Sequence, residues 1–176
     1  VNETVKVVVE NGILYDTEVI DSHLRSVSFF ANARTFSCNT AGPKECSKHT
    51  NLVGLGGLLP RDYSMTVRSV RVEIEDTADQ DLALMKSSSM DLWIGDRFYE
   101  IPVNEAMNSK GFDLGVLCQI NKIERLDVNW PKTKLPRFAG RLTVKVSLLG
   151  QIVFPTIDDD GFKERQIAFY TDRLVS

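Results

Sequence analysis

The stretch RLTVKVSLL, Arg141 to Leu149, constrains this chain more than any other. Leu142, Val144, Val146 and Leu148 fall on one parity, and Arg141, Thr143, Lys145 and Ser147 fall on the other. Period two is the repeat of a β-strand, whose side chains leave alternate faces of a sheet. A strand with one apolar and one polar face covers a core on one side and meets water on the other, as antiparallel sheets do. It needs further strands and a second layer to bury that apolar face.

Other segments repeat the signal. VKVVV (Val5 to Val9) and Ile13 to Ile20 are β-rich and flank Asn11-Gly12, which reads as a hairpin turn. Ser26 to Phe36 is a further strand candidate. Asn51 to Pro60 is apolar but glycine-rich, which suits an irregular or bent path. In Ser64 to Glu75 the apolar side changes partway, from Met65 and Val67 to Val70, Val72 and Ile74. A bulge, or a strand passing from one sheet to another, produces such a switch. Asp76 to Ser89 has room for one or two helical turns, with Asp76 as the cap.

MDLWIGDRFYEIP, Met90 to Pro102, reads as a hairpin. Met90, Leu92 and Ile94 share one parity, which puts Trp93 on the other face. Gly95-Asp96 is a glycine-first two-residue connection of the type II′ kind, and the return strand carries Tyr99. Leu114 to Ile120 fits a strand or a short helix. Asp127 to Phe138, with two prolines, reads as a long connection. RQIAFYTDRLV near the C-terminus completes an expectation of eight to ten strands with little helix. The fold class expected is an all-β antiparallel sandwich with long crossing loops, a single jelly roll over residues 1–176 with an N-terminal strand or arm over about 1–10.

Composition limits the function classes. A hydrophobic share of 43% and a charged share of 26% over 176 residues suit one globular domain. A net charge of −3 argues against gripping nucleic acid as the main task. No run approaches the ~18 apolar residues of a membrane helix. The chain opens at Val1 without a signal-peptide pattern, so the expectation is an N-terminus that was processed or trimmed. Asn2-Glu3-Thr4 fits a glycosylation acceptor at chance level.

Few residues propose chemistry. Cys38 and Cys46 bracket a polar loop that a local disulfide can bridge; with Cys118 they are more simply three reduced thiols. Cys38, Cys46 and His49 lack a fourth zinc ligand and a regular zinc spacing. Gly54 to Gly57 fails as a phosphate loop because no helix signal follows it. Asp158 to Asp160 form an oxygen-rich turn without the glutamate of a calcium loop. Asp91, Asp96 and Glu100 are carboxylates beside a hairpin, more in keeping with a solvated face than with glycoside hydrolysis. Lys132, Lys134, Arg137 and Arg141 gather near Trp130 and Phe138, loosely a stacking groove for single strands. The reading is of a non-enzyme without metal or cofactor, working through faces and edges.

Three segments carry a resemblance. GGLLPRDYSMTVRSVRVEI, MDLWIGDRFYEIP and LPRFAGRLTVKVSLLG, in that order, are similar to strand patterns of small single jelly-roll capsid proteins. The chain resembles the major capsid proteins of tailless icosahedral bacteriophages with an internal membrane, of the type infecting thermophilic bacteria. The likeness covers about Gly56 to Gly150; Arg97 stands where the pattern usually has lysine, and the first 50 residues match nothing. What it implies is a virion structural protein that self-assembles into a shell, with a dimer as building block. Other capsid proteins and an internal lipid membrane are its implied partners. Val5, Val7 and Val9 are then candidates for contact between subunits, by strand addition at an edge. The alternative is a carbohydrate- or protein-binding jelly-roll module, such as a lectin or spike domain.

Overall fold

A computed structural model describes residues 5–23, 26–31, 50–51, 59–75, 77–121, 126–156 and 161–171. Eight strands in these residues form two antiparallel sheets of four, packed face to face as an all-β sandwich. In the first sheet β1 (Val5–Asp21), β8 (Arg141–Thr156), β3 (Ser64–Glu75) and β6 (Phe112–Asn121) lie in that order. In the second the order is β2 (Val27–Phe29), β7 (Leu126–Trp130), β4 (Ser89–Ile94) and β5 (Arg97–Pro102). Three helices, α1 (Asp79–Lys86), α2 (Val103–Ala106) and α3 (Phe162–Tyr170), complete the described elements.

The core follows the alternation. Leu142, Val144, Val146 and Leu148 of β8 are fully or almost fully buried, facing Met90, Leu92 and Ile94 of β4 and Val128 of β7 within one apolar cluster. Ser147 lies on the polar parity yet is also buried, between the larger Tyr15 and Arg71 across the strands. At one end Tyr63 stacks on Phe154 with centroids 5.4 Å apart, and its hydroxyl donates to Gln166 Oε1 at 2.9 Å, which fastens α3 to the sheet. Burial there pushes the Tyr63 phenol up to about 12.

The parity switch in β3 is a bulge: pairing with β8 slips between Val67 and Ser69. A second bulge lies in β1 between Val9 and Gly12, at the same level of β8. Both converge on Gly150, which pairs with Gly12 on one side and Val67 on the other. A Cβ at Gly150 would stand 1.8 Å from the carbonyl oxygen of Thr66, so only glycine lets the bulged β3 backbone approach. At that level β6 departs furthest from its partner. It pairs with β3 at Phe112–Asp113 and again from Cys118; between them Leu114 turns into the core, and Gly115 to Leu117 stand exposed as a protrusion.

Several expectations are corrected. Asn11-Gly12 is not a hairpin turn, because β1 keeps the same partner from Val5 opposite Thr156 to Asp21 opposite Arg141. A glycine after asparagine serves a bulge as well as a turn. The supposed connection from Asp127 begins inside a strand, with Leu126, Val128 and Trp130 buried in alternation. RQIAFY belongs to helix α3, which ends at Tyr170, and not to a strand. The N-cap of α1 is Ala78, without a side-chain cap; Asp76 lies outside the described residues. Of Ser26 to Phe36, only Val27–Phe29 is described as strand, and Phe30 leaves it at φ 63°. There Asp16, buried, accepts the Phe30 backbone N–H at 2.9 Å.

Candidate binding surface on the hairpin sheet

β4 and β5 pair from Ser89 opposite Pro102 to Ile94 opposite Arg97, leaving Gly95-Asp96 as a two-residue turn. Gly95 has φ 58°, whereas Asp96 is not among the residues with positive φ, a pattern that fits type II′ and excludes type I′. Leu92 is buried while Trp93, its neighbour, faces outward and is partly exposed. The register sets Trp93 opposite Phe98 and Asp91 opposite Glu100, on the outer face of the sheet.

The two aromatic rings are 4.9 Å apart, tilted by 50°. Beside them Lys134, from the connection after β7, reaches Asp91 Oδ1 at 2.5 Å and Glu100 Oε2 at 2.7 Å. Its ammonium also lies 5.8 Å from the centroid of Phe98, within reach of a cation–π attraction. Ser88 anchors the Lys134 backbone: its hydroxyl donates to the Lys134 carbonyl and accepts from Trp130 Nε1 at 3.0 Å. The Glu100 carboxyl is held below its usual range, first by its hydrogen bond from Lys134 and then by that charge. Lys134 is held above its usual range, mainly by hydrogen bonds to Asp91 and Glu100. A general acid for glycoside hydrolysis needs a raised carboxyl pKa, and Glu100 is shifted the other way. What the arrangement can do is stack an apolar ring face on Trp93 and Phe98 and offer hydrogen bonds from the bridged charges.

Tyr99 points inward instead. Its hydroxyl lies 3.1 Å from the sulfur of Cys118 on β6, and Arg97 Nη1 is 3.9 Å from the same sulfur. The phenol pKa is raised, first by the hydrogen bond with Cys118 and then by burial. Tyr99 therefore ties the free edges of the two sheets together. Cys118 is a free, buried thiol, whereas Cys38, Cys46 and His49 lie outside the described residues, as do Asn2 to Thr4, Gly54 to Gly57 and Asp158 to Asp160.

Two of the three candidates for subunit contact are corrected. Val7 and Val9 are buried in the core of their own sandwich, opposite Phe154 and Ile152, because β1 is a full member of the first sheet. Val5 remains exposed. The stacking groove is also corrected: Trp130 is fully buried, Lys134 is engaged by carboxylates, and only Lys132 and Arg137 share a cleft with Phe138. Sequence reasoning missed Lys134 as the bridge between Asp91 and Glu100, for nothing in a proline-flanked basic run says which lysine folds back onto the hairpin. Among the described residues no group of three or more His, Cys, Asp or Glu is placed to hold a metal ion, and no helix is long and apolar enough to cross a membrane. Comparison with protein families, with curated proteins and with solved structures finds no match to this chain.

Proposed function

We propose that this chain is a virion structural protein, a capsid subunit whose copies assemble edge to edge into an icosahedral shell. The strand orders β1-β8-β3-β6 and β2-β7-β4-β5 support a jelly-roll reading. Successive strands alternate between the sheets except at the hairpin β4–β5, which is the pattern of nested Greek keys. The observation that carries assembly is the protrusion on β6. Leu117 is 67% exposed and Val116 51% exposed, on an edge strand of the first sheet. Burying an aliphatic side chain of this size contributes about 1.5–3 kcal/mol, which a neighbouring copy can supply. At the opposite edge of the same sheet β1 exposes Val5, Val8 and Val19. Contact between these two edges is head to tail, the kind that closes into rings or extends across a surface. Other capsid proteins and an internal membrane are the further partners this reading implies.

Sedimentation velocity over rising concentration, with electron microscopy of the concentrated protein, tests the reading. Growth to oligomers is expected, and Leu117→Asp weakens it while the melting transition stays. A monomer at every concentration sinks it. A second reading, a carbohydrate-binding module, is favoured by the Trp93–Phe98 pair. Its mark is mobility retarded in glycan-containing gels and restored by Phe98→Ala.

A further inference from the structure

The pole of the sandwich opposite the Gly95-Asp96 turn carries a cleft of about 370 Å³. One wall is Ser22 and His23, in the turn after β1. The other is the connection between β7 and β8, which contributes Lys132, Arg137, Leu135 and Phe138. This connection is held in place before any ligand arrives. Pro131 accepts the N–H groups of Lys134 and Leu135, both at 2.9 Å, and the Ser22 N–H donates to Gly140 at 3.1 Å. The Lys134 side chain, bound to Asp91 and Glu100, pins the same connection to the hairpin.

Lys132 and Arg137 differ from Lys134 in one respect. Among the described residues neither makes an ion pair, and no carboxylate lines the cleft. Asp21 is nearby, but its Oδ1 accepts the His23 backbone N–H at 2.9 Å, and its strand position faces Arg141. In a chain of net charge −3 this leaves an ammonium, a guanidinium, an imidazole and a hydroxyl around one concavity. A guanidinium offers a planar fork of donors matched to phosphate oxygens, and lysine adds a mobile point charge. We infer that this cleft is a binding site for a phosphate-bearing anion, held by Arg137 and Lys132 with donors from His23 and Ser22. The apolar floor of Leu135 and Phe138 favours a ligand with an organic part next to its phosphate. The assignment is independent of the capsid reading, and the phosphate can belong to a soluble compound or to a lipid headgroup.

Backbone amide NMR shifts are followed as inorganic phosphate is added to the full chain. Sedimentation with phosphatidylcholine vesicles, with and without phosphatidylglycerol, is measured alongside. Shifts gathered at Ser22, His23, Lys132 to Leu135, Arg137 and Phe138 support the site, and so does vesicle binding that requires the anionic lipid. The first alone marks a soluble phosphate compound, and the second alone marks a headgroup. In either case the pair Lys132→Glu and Arg137→Glu weakens binding at least about tenfold, because charge-assisted hydrogen bonds are lost. Lys110→Glu, on the separate groove beside Gly12 and Leu149, leaves it unchanged. Should the charge-reversed pair lose its melt, Lys132→Gln with Arg137→Gln takes its place. No phosphate shifts and no lipid-dependent sedimentation, or binding undiminished in the variant that folds, overturns the inference.

Discussion

Lys134 joins two carboxylates on different strands, and its position makes the hairpin face sensitive to pH at both ends of the scale. Glu100 has a lowered pKa in the folded chain, so its contribution is present above the unfolded carboxyl value of ~4.3 and is lost as pH falls through the folded value. Lys134 has a raised pKa, so its contribution is present below the unfolded lysine value of ~10.4 and is lost as pH rises through the folded value. Lys134→Met removes both. The difference in melting temperature between parent and variant is therefore expected to be greatest near neutrality and to shrink on the acid and alkaline flanks. Calorimetry across that range checks it, and a difference that ignores pH contradicts the bridge. The exposure of Glu100 keeps the effect modest, and salt reduces it further.

At the scale of elements, the bulges of β1 and β3 meet at Gly150 and let both flanking strands keep their apolar side chains inward past the irregularity. Gly150→Ala places a methyl group against the Thr66 backbone, which no rotamer can relieve. A loss of about 1–3 kcal/mol or more is expected in denaturant melts, and a change below about 0.5 kcal/mol would contradict the close approach. Half of this feature was legible beforehand. The parity switch in β3 announced an irregularity, a bulge or a change of sheet, because side-chain period is read directly from residue order, and the pairing with β8 makes it a bulge. The one in β1 was hidden, since Asn-Gly satisfies turn and bulge alike and only the shared partner strand distinguishes them. Strand β7 was hidden for another reason: two prolines follow it within the same polar run and masked the alternation of Leu126, Val128 and Trp130. In α3, the buried Phe169 and Tyr170 carry strand propensity, and packing against Tyr63 and the first sheet overrides it.

At the scale of the whole molecule, the β4–β5 hairpin was legible in its two faces and its turn, because alternation and Gly-Asp are local signals. The charges around it were not, because Lys134 arrives from 43 residues away from Asp91. The same limit governed the N-terminal strand, whose valines suit an edge between subunits and a core strand equally well. The fold separates them. Val7 and Val9 are 8% and 6% exposed, and β1 is partnered along its length by the central strand β8. Midway along the strand its outer edge is also engaged, for Asn51 accepts the Tyr15 N–H at 2.8 Å and Gly12 bridges to Thr171. Deleting residues 1–10 strips the core of both valines and uncovers Ile152 and Phe154. The expected result is loss of the cooperative melt itself, not a folded chain that merely stops associating. Leu117→Asp is the counterpart, since that side chain projects from the fold: association falls and the melt remains. Calorimetry beside sedimentation reads both outcomes on the same samples. A truncated chain that melts cooperatively but no longer assembles would mean that β1 is exchanged between copies, and that the strand seen in its own sheet is replaced by a neighbour's in the assembly.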